Sequence, residues 1–133
     1  MEKTVKNHKQ SQHTMNNQLL EDYLSEFQGA ESSMPFGPEA LVYKVMGKMF
    51  ALVSQKEETP RVTLKCKPAD GEVLTAQYES IQPGYYMNKR HWITITLKDE
   101  ISKEMVEDLA RYSYALVISK LTKRDKEVLI KQA

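Results

Sequence analysis

Between Arg61 and Lys67 the chain alternates without a break: Val62, Leu64 and Cys66 interleave with Arg61, Thr63, Lys65 and Lys67. Successive side chains of an extended chain point to opposite faces, so this stretch is a strand with one buried face and one wet, cationic face. Residues 92–98 repeat the pattern, with Ile93, Ile95 and Leu97 inward and Trp92, Thr94, Thr96 and Lys98 outward. Two half-buried strands require a sheet that packs a core on one side and leaves the other to solvent or a partner. If the two strands are near each other, Arg61, Lys65 and Lys67 lie beside Thr94, Thr96 and Lys98.

The rest of the chain supplies the layer that covers such a sheet. Leu19, Leu20, Tyr23, Leu24 and Phe27 recur at helical spacing, Asn16 or Asn17 can cap the start and Gly29 can stop it, which predicts a helix over 17–28. Ser102 caps a longer helix over 103–121, with Val106, Leu109, Ala110, Ser113, Leu116, Val117 and Leu121 as its buried stripe. Pro68 suits the first turn of a shorter helix reaching about Tyr78, although Gly71 weakens it. Residues 41–45 and 49–54 read as a hairpin with Gly47 in its turn. The prolines flanking Phe36-Gly37 predict a short extended piece and a tight turn, and Pro83-Gly84 marks another turn. The order α-β-β-β-β-α-β-α describes an α+β fold of two layers, an antiparallel sheet with helices on one face.

With 133 residues there is room for one core. Residues 1–15 read as a disordered polar leader, 16–122 as the single domain and 123–133 as a basic tail. The apolar fraction of 41% and seven tyrosines fit a globule. No apolar run nears the roughly 20 residues of a membrane span, and the longest, 112–118, is interrupted by Ser113. The N-terminal stretch lacks the apolar region of a secretory leader, and the single cysteine, Cys66, has no partner thiol, so the expected setting is the cytoplasm. The strand pattern gives Cys66 a packing role. The net charge of +1 hides an uneven distribution: 16–40 holds five acids and no base, whereas 43–67 and 85–98 are basic.

Three groups of residues carry candidate chemistry. Asn88, Lys89, Arg90, His91 and Trp92 place two cations, an imidazole, an amide and the sole tryptophan side by side, a set suited to phosphate contact and base stacking, or else to a solvated loop with a packed indole. Arg61 and Lys65 on the outward strand face would give sequence-independent, salt-sensitive binding through counterion release. Lysines on edge strands also guard against aggregation. Lys44 and Lys48 flank the hairpin turn and could form a basic tip. Gly47-Lys48 is no phosphate loop, since Met49 stands where a Ser or Thr is required. Tyr85 and Lys89 share the spacing of a dehydrogenase acid and its helper lysine, but no glycine-rich nucleotide turn accompanies them. His8 and His13 lack a third metal ligand. Glu21-Asp22 and Glu107-Asp108 occupy helix faces where charge belongs anyway. No reaction class, cofactor or metal site emerges.

The pieces Met34-Pro-Phe-Gly-Pro-Glu-Ala-Leu-Val-Tyr-Lys-Val, Lys48-Met-Phe-Ala-Leu, Val62-Thr-Leu-Lys-Cys and Pro83-Gly-Tyr-Tyr-Met-Asn-Lys-Arg-His-Trp-Ile-Thr, in this order, resemble the MmcQ/YjbR family, and the likeness runs from about Leu19 to Leu121. The resemblance implies a compact YjbR-like fold of helices on an antiparallel sheet, grouped by shape with frataxin-like (CyaY-like) or secretion-chaperone-like proteins, and a DNA-binding role. Met34 replaces an aromatic residue and Tyr86 a histidine of the family pattern. The expected function is therefore a non-enzymatic, monomeric, cytoplasmic binder of nucleic acid, DNA foremost. Its phosphate contacts would come from Lys44, Lys48, Arg61, Lys65, Lys89 and Arg90, with Asn88, His91 and Trp92 in support. The alternative is a protein-interaction adaptor or small-ligand binder using the same sheet face.

Overall fold

The computed structural model describes residues 15–84 and 88–132. Among the described residues four helices and six strands follow one another as α1 (Asn17–Ser25), β1 (Ala30–Ser33), β2 (Ala40–Val45), β3 (Lys48–Ser54), β4 (Arg61–Lys65), α2 (Pro68–Gln77), β5 (Ile81–Pro83), β6 (Trp92–Thr96), α3 (Lys103–Ser119) and α4 (Lys123–Lys131). The strands form one sheet in the order β1-β2-β3-β4-β6-β5, every neighbour antiparallel. This is the α+β, two-layer architecture that the alternating strands demand.

The inward residues of the strands, among them Tyr43, Val45, Ala51, Val53, Val62, Leu64, Ile93 and Ile95, join Leu20 and Leu24 of α1 and Val106, Ala110 and Val117 of α3 in one buried cluster. Helix α1 is capped by Asn16, whose side chain accepts from the Leu19 N–H at 2.8 Å, and α3 by Ser102, which accepts from the Met105 N–H at 3.1 Å. Both caps satisfy amides that the first helical turn would otherwise leave without partners. Gly71 in α2 packs closely: a Cβ there would stand 3.0 Å from the Cys66 sulfur, a tight contact, and 3.7 Å from Ile93, an ordinary one, so the bare position lets the helix approach the strand ends without displacing Cys66. The Met46-Gly47 turn has φ of 49° and 78°, the pair of positive values that a two-residue hairpin needs to match strand twist.

One irregularity organises the middle of the sheet. The β2–β3 register slips between Tyr43 and Lys44, which pair with Ala51 and Met49, so that Phe50 is the extra residue of a bulge. Phe50 turns into the core, completely buried, where its ring meets Phe27 and Tyr114 edge-on at centroid distances of 5.6 and 5.3 Å. The β3–β4 ladder ends at Ala51↔Leu64, and beyond it the Ser113 hydroxyl of α3 takes over.

Several expectations needed correction. Ala30–Ser33 is an edge strand, which its polar, exposed sequence concealed, and β5 lies where only a turn was anticipated. Helix α1 ends at Ser25, not at residue 28. The leader does not extend to residue 15: Met15 is 3% exposed and belongs to the core. Its remaining residues lie outside those described, as do His8, His13, Tyr85 and Tyr86. The basic segment after Leu121 is a helix capped by Thr122, and its Leu129 is buried in the same core as Val45.

Candidate functional site

The second face of the sheet carries no described helix. Register places Ser33, Val42, Leu52, Thr63, Thr94 and Gln82 in a single row across all six strands of that face. Thr63 and Thr94 hydrogen-bond through their hydroxyls at 2.9 Å, a cross-strand pair that ties β4 to β6. A second row sets Arg61 opposite Thr96, and a third sets Lys65 opposite Trp92. The two alternating strands, whose proximity the sequence left open, are therefore neighbours.

Strand direction then sorts the charges. Because all neighbours are antiparallel, the end of β2, the start of β3, the end of β4 and the start of β6 share one edge of the sheet. Lys44, Lys48, Lys65, Lys67, Lys89 and Arg90 gather there, against Glu31, Asp70 and Glu72. The opposite edge collects Glu39, Glu57, Glu58, Glu79, Asp99 and Glu100 with Lys56, Arg61 and Lys98. The expected basic face is thus resolved into a basic end and an acidic end. The Ser80 hydroxyl and N–H both donate to Glu100, holding its carboxyl below the usual range, so this anion persists at the acidic end.

Each candidate residue can now be placed. Lys44 lies on the outer face between Glu31 and Met49, and Lys48 is exposed at the hairpin tip. Arg61 belongs to the acidic end, where Glu57 pairs with it at 3.4 Å; it does not join the other cations. Trp92 is only 9% exposed and stands apart from the main core, with the Lys65 ammonium 5.7 Å from its ring centroid. Its largely covered ring lies under Lys65, which leaves little of the indole open to a base. Lys89 and Arg90 turn towards the helix layer, lining a small cavity of about 170 Å³ with Pro68, Gly71, Glu72 and Thr75 of α2. Asn88 accepts from the Arg90 N–H at 2.9 Å and so shapes the turn. His91 is exposed, and its carbonyl accepts from Cys66 at 2.9 Å, fixing this turn to the start of α2.

Cys66 is 2% exposed, and burial pushes its thiol upwards, aided by the negative charge of Asp70, so it is a packed side chain without thiolate character. Among the described residues no group of three or more His, Cys, Asp or Glu is placed to hold a metal ion, and no helix is long and apolar enough to cross a membrane. Sequence reasoning missed an apolar cleft of about 530 Å³ on the outer face, lined by Phe36, Ala40, Met49 and Leu52 together with Glu39, Ser54, Lys56 and Glu57. The exposed aromatic between two prolines was the available signal.

Comparison with known proteins agrees with this fold. The chain is 42% identical to the uncharacterized protein YbdF of Escherichia coli O157:H7 over 97 residues, which cover 73% of this chain and 80% of YbdF. It is 30% identical to YjbR of Escherichia coli K12 over 102 residues, 77% of this chain and 86% of YjbR. The crystal structure of Deinococcus radiodurans DR2400, a DUF419 domain, superposes with a TM-score of 0.80 at 36% identity, covering 90% of this chain and 91% of DR2400. A Pseudomonas syringae protein gives 0.67 at 25% identity over 77% of this chain and 98% of its own. The YjbR family model matches residues 25–116, which span the sheet and most of α3, and the chain belongs to the YjbR family.

Proposed function

We propose that this protein is a non-enzymatic nucleic-acid-binding module of the cytoplasm, with DNA as its target, that holds the phosphate backbone at the basic end of its sheet. The observation that carries this reading is the gathering of Lys44, Lys48, Lys65, Lys67, Lys89 and Arg90 at one end by antiparallel register. Among the described residues the two ion pairs are Arg61–Glu57 and Arg111–Asp108, so none of the six is neutralised in that way. Cations with mobile stems on a rigid sheet end suit a regular array of phosphates, and their affinity derives from counterion release with little base discrimination. His91, exposed beside Arg90, would orient a base or sugar in this reading.

Fluorescence anisotropy of labelled duplex and single-stranded DNA at low and near-physiological salt tests this reading. Binding that falls steeply with salt, is lost in the Lys65→Glu, Arg90→Glu double variant and survives Arg61→Glu supports it. Affinity indifferent to salt, or an Arg61→Glu loss as large as that of the double variant, refutes it.

A further inference from the structure

Among the described residues the sheet closes on two edges, β5 and β1. An edge strand offers unpaired main-chain groups to any other strand, and proteins blunt such edges with proline, lysine or a cover. Strand β5 is three residues long and ends in Pro83, which has no N–H to give. Strand β1, Ala-Glu-Ser-Ser, has neither proline nor lysine, and its Glu31, Ser32 and Ser33 are exposed.

The neighbouring hairpin fixes which way the β1 main chain faces. The two-residue turn at Met46-Gly47 makes Val45 and Lys48 a hydrogen-bonded pair, so Val45 directs its N–H and C=O at β3 and away from β1. The Ala30 N–H, opposite Val45, accordingly goes to the Phe27 carbonyl at 3.0 Å. Alternation then gives Glu31 and Ser33 the bonds to β2 and turns the Ser32 N–H and C=O outward.

A second copy of the chain supplies a strand that fits this edge. Directly opposed residues share a face, so a two-fold axis that keeps both helix layers on one side must pass through a residue and not between two. Centred on Glu31, it would set two carboxylates against each other. Centred on Ser32, it lets the two Ser32 residues exchange both of their outward main-chain bonds and sets each Glu31 opposite Ser33 of the other copy.

The flanks of that ladder are complementary as well. Ala30 comes to lie opposite Met34 of the second copy, which is 47% exposed. The last turn of α4 abuts the start of β1, where the Gln28 amide donates to the Leu129 carbonyl at 2.5 Å, and its Ile130 is 70% exposed. Bare apolar side chains thus stand near both ends of the new ladder. Charge selects the direction: antiparallel pairing brings the basic end of each copy, at Ala30 and Lys44, to the side of the other copy's acidic end, at Ser33 and Glu39. Parallel pairing would put like ends together.

We propose that β1 joins two copies of the chain into one continuous sheet by antiparallel pairing centred on Ser32. A ladder this short, with two apolar flanks, falls at the small end of specific interfaces, so the dimer dissociates with a Kd on the order of 10–100 μM and is monomeric when dilute. The inference does not rest on the nucleic-acid reading, since it uses neither Lys65 nor Arg90.

Sedimentation velocity of the full chain between about 5 and 500 μM tests it, a range that brackets such a Kd. A concentration-dependent shift from monomer to dimer is expected. Ser32→Pro removes the donor at the axis and leaves the chain monomeric throughout, with an unchanged circular dichroism spectrum, because that N–H serves no bond to β2. Ser33→Glu faces Glu31 of the other copy with a second carboxylate and weakens the dimer about tenfold, whereas Ser33→Lys tightens it about threefold, each effect being doubled by the two-fold axis. These opposite signs at one exposed position still decide the matter if Ser32→Pro does not fold. Lys65→Glu with Arg90→Glu leaves the equilibrium unchanged, which separates this edge from the phosphate surface. The proposal is overturned if the protein stays monomeric over the whole range, if the dimer survives Ser32→Pro, or if both Ser33 variants move it the same way. It is also overturned if the Ser32 amide is protected from hydrogen exchange in dilute monomer, for the edge is then covered within the chain.

Discussion

Ser113 on α3 donates its hydroxyl to the carbonyl of Phe50 on β3 at 2.6 Å, and the same oxygen accepts the N–H of Lys65 on β4 at 2.8 Å. A helix side chain thereby replaces one rung of a sheet that the Phe50 bulge would otherwise leave broken. Ser113 is fully buried, so no water can take over. Ser113→Ala leaves an amide and a carbonyl without partners and is expected to cost about 1–3 kcal/mol, measured as a lower urea midpoint with an unchanged slope. A loss within a few tenths would mean that the strands close up and pair directly.

Trp92 offers a second stability test. Its ring is covered, its carbonyl accepts from the Gly84 N–H at 2.7 Å, and Lys65 lies over its face. Trp92→Ala is expected to destabilise the fold by about 3–5 kcal/mol, the range of large buried aromatics. Native emission should be blue-shifted and poorly quenched by acrylamide, and nucleic acid should change it little. Strong quenching would restore the indole to the surface.

Alkaline pH should loosen the molecule in a predictable window. Burial pushes the Tyr43 hydroxyl up to about 12, with Glu21 and Asp22 adding to the effect, and the hydroxyl donates to the Glu21 carbonyl at 3.2 Å. Tyr112 is raised to about 12 as well, by burial and by its hydrogen bond to Asp70. The unfolded phenols ionise near 10 while the folded ones stay neutral, so the unfolded state binds fewer protons in this range. The associated stability is complete below pH 10 and is lost between about 10 and 12. Urea midpoints measured across that interval should fall, and Tyr43→Phe should flatten the decline.

For nucleic acid, removing one phosphate contact should lower the slope of log K against log salt by about one unit. Lys48→Ala and Lys89→Ala are each expected to do so across all sequences alike, and Arg61→Ala to leave the slope unchanged. Since Lys65 also covers Trp92, its alanine variant should in addition cost about 0.5–1 kcal/mol of stability.

The parts of this fold that the sequence announces are those in which burial imposes a period. Val62-Leu64 and Ile93-Ile95 alternate because one face of each strand meets the helices, and the α3 stripe recurs because one side of it meets the sheet. Within that stripe Leu109 and Leu116 are only half-buried, since the packed arc is narrower than its apolar residues. Strand β1, Ala-Glu-Ser-Ser, has no buried face to impose a pattern, and β5 is three residues long. Helix α4 fixes itself by one fully buried residue, Leu129, too few for a periodic signal. The site was half visible: the cations could be named, but their grouping depends on β6 returning beside β4, which no local pattern encodes. That return removes Arg61 from the set and brings Lys65 over Trp92.

The separation of charge along the sheet also means that the net charge of +1 is a poor guide to how the molecule behaves near a charged surface. A body with opposed ends has a large electric dipole, and an extended polyelectrolyte turns such a body before it touches it. At low ionic strength the protein should adhere to both cation- and anion-exchange media, presenting one end to each, and release from both within a few tens of millimolar salt as the screening length shrinks below the span of the sheet.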